Sequence, residues 1–203
     1  MTASGENGTH TVNGSIHVPA GKPSGEIDTV NGSIHVDDNA ALGDANTVNG
    51  SIAIGAHATA KTLNTVNGGI TLDDAAHVSG GVSAVNGTLT LKSGADVAGA
   101  LANVNGAIVL QAAHVGGGIR TVSGDIDVGS NSHVEGGILV QRQSGSWFHF
   151  GNSKPKIVIG PGAVVQGNLR FEREVALFVS DTATIGPVTG ATPIKFSGAN
   201  PPG

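Results

Sequence analysis

The chain has 203 residues, of which 33 are glycine, 12% charged and 3% aromatic; its 10 basic and 15 acidic residues give a net charge of -5. No basic block stands out and no apolar run approaches the roughly 20 residues that span a bilayer, so neither a nucleic-acid partner nor a membrane span is expected. Few aromatics imply a thin core of small aliphatic side chains, and the absence of cysteine excludes disulfides and thiolate metal sites.

Residues 1–10 are polar and glycine-containing and read as a flexible N-terminal segment. A repeat begins at Thr11. Val-Asn-Gly recurs from Val12, Val30, Val48, Val66, Val85 and Val104, with Val-Ser-Gly at Val122, in steps of 18 or 19 residues. Each Gly is followed by two aliphatics in alternation, such as Ile34 with Val36 and Leu89 with Leu91. This period of two denotes short strands. A second motif, small-x-Val-x-Gly-x-aliphatic, fills the other half of the turn, as at Ala76, Val78, Gly80 and Val82. Val66, Gly68, Ile70, Leu72, Ala76, Val78, Gly80 and Val82 share one parity, which places them all in the core, with Thr11, Thr29, Thr47, Thr65 and Thr121 pointing outward.

The expected fold is all-β: a single-stranded parallel β-helix (β-solenoid) of about 18 residues per turn with three short faces, spanning residues 11–140 in its regular part. Stacking turns about 4.8 Å apart brings identical positions into columns. Asn13, Asn31, Asn49, Asn67, Asn86 and Asn105 then form a structural amide ladder. The side chain before the second-motif core position gives the column His57, His77, Asp96, His114 and His133, the best candidate for metal chemistry, although no metal is expected as a resident cofactor. No clustered acid pair or nucleophile turn marks an enzyme.

Residues 141–156 break the repeat as an aromatic and basic insertion carrying Arg142, Trp147, Phe148, His149 and Phe150, a candidate contact for a glycan or protein. Longer turns and a cap follow over 157–190, then a Pro/Gly-rich tail over 191–203. Six of the eight prolines lie at Pro155 or later, so the C-terminal end is expected to be better closed than the N-terminal β-edge.

On residues 76–82, 95–101, 113–119 and 163–169 the chain resembles the bactofilins, bacterial polymer-forming scaffolds with a right-handed three-faced β-helix. The Val-Asn-Gly-Ser-Ile half resembles β-strand repeats of bacterial proteins described as adhesins. Together the patterns cover about residues 11–140 and 157–188. The resemblance implies a right-handed, non-enzymatic scaffold of the cell envelope, periplasmic or extracellular rather than cytoplasmic. It would self-associate through the N-terminal β-edge. The alternative is a secreted or surface adhesin that binds a glycan or protein through an exposed face and the Trp147 loop. The Pro- and Phe-rich C-terminal end departs from the bactofilin pattern of weakly capped ends.

Overall fold

The computed structural model describes residues 1–3, 8–142 and 154–201. Among these residues twenty-nine short strands, β1–β29 in chain order, follow one another in a cycle of three. The first cycle is β1 (Thr9–Asn13), β2 (Ile16–Val18) and β3 (Pro23–Ser24). The next five-residue strand, β4 (Ile27–Asn31), lies parallel on β1, with Ile27 opposite Thr9 and Asn31 opposite Asn13. Repetition builds two ten-stranded sheets and one nine-stranded sheet, each taking every third strand. All pairings are between successive turns. The result is a parallel β-solenoid of about nine turns, averaging about 19 residues per turn. Among the described residues no helix is long and apolar enough to cross a membrane.

The core is a continuous column of aliphatics, one or two from each face per turn: Ile34, Val36 and Leu42, then Ile52, Ile54 and Leu63, then Ile70, Leu72 and Val78. A single turn buries too few side chains to offset its ordering entropy, so the turns are stable only as a stack.

Parity does not run unbroken round the turn. Val30, Val48, Val66, Val85 and Val104 are about 40% exposed, whereas Thr29, Thr47 and Thr65 are buried. The valine of Val-Asn-Gly therefore faces out and the threonine before it faces in, the reverse of the sequence expectation. The Asn-Gly corner shifts the phase by one residue, and the buried hydroxyls survive because each finds an acceptor. Thr47 Oγ1 donates to the Gly32 carbonyl and Thr65 Oγ1 to the Gly50 carbonyl, both at 2.9 Å. Where Asn103 replaces the threonine, its Nδ2 donates to the Gly87 carbonyl at 2.7 Å.

Strand pairing continues into the first and last described residues. Met1 to Ala3 lie along β2: the amide of Ala3 donates to the His17 carbonyl, the amide of His17 to the Met1 carbonyl, and Ala3 is buried. At the other end β27 (Thr184–Ile185), β28 (Val188–Thr189) and β29 (Ile194–Phe196) finish the three sheets. β29 falls within the presumed tail, and Phe196 is buried against the last turn. Ala199 to Pro201 then line a groove shared with Asp127 and Lys156.

Candidate functional site

The five-residue face carries two hydrogen-bonded ladders with an apolar stripe between them. At its corner edge Asn31 Nδ2 donates to Asn13 Oδ1 at 3.0 Å, and the bond repeats from Asn49 to Asn31, Asn67 to Asn49, Asn86 to Asn67 and Asn105 to Asn86 at 2.9–3.0 Å. Each amide from Asn31 to Asn86 uses one hydrogen and one oxygen within the stack.

The second ladder lies three residues earlier on each strand, and no single residue type announces it in the sequence. His10 Nδ1 is 2.7 Å from Asp28 Oδ2, Asn46 Nδ2 donates to Asp28 Oδ1 at 2.8 Å, Asn64 Nδ2 to Asn46 Oδ1 at 2.9 Å, and Ser83 Oγ to Asn64 Oδ1 at 2.6 Å. Between the ladders run Val12, Val30, Val48, Val66, Val85 and Val104, all exposed. Below this stripe β1 is the first strand of its sheet among the described residues.

The two-residue face carries the histidine column with one correction. His77 is opposite Thr59 on one side and Asp96 on the other, and the column continues through His114 and His133. His57 is excluded from it. His57 sits in the preceding turn at φ 57°, where its ring leaves the strand, and Thr59 takes the strand position. Asp96 accepts from both neighbours: His77 Nδ1 lies 2.6 Å from Oδ2, and His114 Nδ1 is bonded to Oδ1. Burial alone would raise the Asp96 carboxyl, but the hydrogen bonds from His114 and His77 hold it below the usual carboxylate value. The same bond from Asp96 pushes the His114 imidazole up.

A further histidine pair, not singled out in the sequence, lies on the three-residue face. His17 and His35 stack with ring centroids 5.7 Å apart, and Asp37 Oδ1 is 2.8 Å from His17 Nε2 and 3.4 Å from His35 Nε2. The signal for it was Ile-His-Val occurring twice at the repeat spacing.

Of the insertion residues, Arg142 is exposed and its backbone amide donates to Glu172 Oε2 at 3.3 Å. It borders a shallow depression with Arg170, Phe171, Glu172, Thr189 and Gly190. Trp147, Phe148, His149 and Phe150 lie outside the described residues.

Comparison with protein-family models, curated proteins and solved structures finds no match, so function has to be read from the geometry.

Proposed function

We propose that this solenoid is a structural scaffold of the bacterial cell envelope that acts by associating with further copies of itself and carries out no catalysis. The supporting observation is the row of six exposed valines at one pitch, flanked by ladders whose amides already bond to one another. Covering the row removes apolar surface from water while leaving few polar groups in need of new partners. A second copy is the natural occupant, because its own row has the same spacing and the face carries little charge beyond the paired His10 and Asp28. Six turns at about 4.8 Å along strands of about 17 Å present roughly 490 Å² per copy, or on the order of 1,000 Å² for the pair, the lower bound for a specific interface. The N-terminal edge contributes at β1, where Val12 is the most exposed of the six. The envelope placement draws support from the resemblance of the repeats to bacterial scaffold and adhesin repeats.

Sedimentation of the wild type and of a Val48→Lys/Val66→Lys variant tests the stripe. Both sites are exposed, so the variant should keep its circular dichroism while its mass falls from that of a dimer or larger assembly to that of a monomer. A monomeric wild type at high concentration would refute self-association. An unchanged mass in the variant would move the contact to the β1 edge and refute the stripe.

The depression bordered by Arg142, Arg170 and Phe171 favours a second reading, an adhesin gripping a glycan or protein beside the insertion. Ligand binding by monomeric protein that is lost on Arg170→Ala would support it over the scaffold.

A further inference from the structure

His114, on β18 (His114–Val115), and His133, on β21 (His133–Val134), are direct neighbours on successive turns, with ring centroids 5.6 Å apart. Glu135 follows one residue after β21, and its Oε1 lies 3.3 Å from His114 Nε2. One ligand atom from each of the three can be chosen so that all lie within 4.8 Å of one another. Bonds of about 2.0–2.2 Å to a tetrahedral zinc ion put ligand atoms on the order of 3.5 Å apart, a closure that side-chain rotation supplies.

The residue behind the ring distinguishes this cluster from a chance meeting of polar side chains. His114 Nδ1 bonds to Asp96, and that hydrogen bond holds a ring proton on Nδ1 and directs Nε2 at the Glu135 carboxylate, so that Nε2 is the nitrogen an ion would take. Without an ion, a proton on Nε2 bridges the ring to the carboxylate, and a metal ion that displaces this proton occupies the same position between the two groups. Asp96 is itself held by His77 at 2.6 Å, so the orienting carboxylate cannot swing away freely. Gln166 Nε2 lies 3.0 Å from His133 Nε2; with the side-chain amide turned over, its carbonyl would accept the Nε2 proton and leave Nδ1 of His133 to the ion. In the His17, His35 and Asp37 cluster no second carboxylate stands behind either ring among the described residues: Asp37 Oδ1 alone lies 2.8 Å from His17 Nε2 and 3.4 Å from His35 Nε2.

We propose that His114, His133 and Glu135 bind one divalent ion of the zinc class, with Asp96 as the positioning residue and a fourth coordination position open to solvent. Two imidazoles and a single carboxylate suit zinc, nickel or copper and disfavour calcium and magnesium, which require more oxygen ligands. The ligands come from two adjacent turns, so the ion clips those turns together.

Calorimetric titration of the full chain with zinc chloride tests the site, with calcium chloride as the control metal. Expected are one zinc per chain at micromolar affinity or better, a zinc-dependent rise in melting temperature, and no calcium heat. His114→Gln and Glu135→Gln should abolish binding. Asp96→Asn should weaken it about 10–100-fold, as loss of an orienting carboxylate does elsewhere. A His17→Gln/His35→Gln variant should bind as the wild type. The absence of zinc heat would overturn the proposal. So would binding that survives the His114 and Glu135 changes in variants of unchanged circular dichroism, or that is lost in the His17/His35 variant.

Discussion

From Asn13 to Asn105 the corner of the five-residue face holds the same amide on every turn, and each is bonded to the last. Beyond Ile138 that face carries Leu139, Arg170 and Thr189 in one outward column. Contacts in these last turns, on this face and its neighbour, are individual: Arg170 pairs with Glu172 at 2.9 Å, Lys154 with Glu174 at 2.6 Å, and the Lys156 ammonium lies 5.2 Å from the Phe178 ring centre. In the body, stability comes from repetition, since any side chain that bonds to its own copy is useful on every turn. In the last turns unlike side chains replace the repeating ones, and Phe171 and Phe196 are buried where the body has smaller aliphatics.

A body corner where backbone packs directly on backbone should be less forgiving than Gly162 in the last turns, which faces a side chain. A Cβ added at Gly87 would stand 1.9 Å from the carbonyl oxygen of Gly68, one turn back, and neither backbone can move without shifting the stack. At Gly162 the nearest atom, at 2.6 Å, is the Asn131 Oδ1, the end of a side chain that can rotate away. Gly87→Ala should therefore cost about 3 kcal/mol, the upper end for overpacking. Gly162→Ala should cost roughly 1–2 kcal/mol, set by its φ of 68°. Urea midpoints of the two variants give the ranking, and equal losses would mean that the body yields as readily as the end.

The period was legible because stacking demands it. The columns of aliphatics at Ile34, Ile52, Ile70, Leu89 and Ile108 follow directly from an 18- or 19-residue step. The corner was not legible, because alternation counts residues and cannot show where a turn consumes one extra position. Hence Val66 and Thr65 exchanged faces. The amide ladder could be read from identical residues, whereas the His10, Asp28, Asn46, Asn64 and Ser83 ladder is chemically mixed and emerges only from register. For the metal candidate, the sequence brought His114 and His133 together but gave no sign that Glu135 would reach across or that Asp96 would set the ring proton.

Cutting the amide ladder measures how much repetition contributes per bond. Asn67 takes part in two ladder bonds, to Asn49 and from Asn86, while Asn105 makes one, to Asn86. Each is an exposed neutral bond that water replaces in part, so Asn67→Ala should cost about 1 kcal/mol and Asn105→Ala about half of that. Chemical denaturation distinguishes them. Equal costs would show that the corner backbone, rather than the amide bonds, is what asparagine supplies.

The smallest expected effect concerns a tie between turns made by ionisable groups instead of amides. Asp37 links His17 and His35 on the first two turns, and the hydrogen bond from His17 holds its carboxyl below the ordinary value in spite of the opposing effect of burial. A carboxyl whose folded value is depressed contributes stability above its unfolded value of about 3.9 and loses it as the pH falls through the folded value. The melting-temperature gap between wild type and Asp37→Asn should thus be complete at pH about 5 and close progressively below about 4. The gap for Asn67→Ala should stay level over the same range, since neither ladder amide titrates there. Because Asp37 is only half-buried the gap will be narrow, and its pH dependence is the telling feature. A gap that stays constant down to about pH 3 would mean that Asp37 acts on the turn backbone and not through the imidazoles.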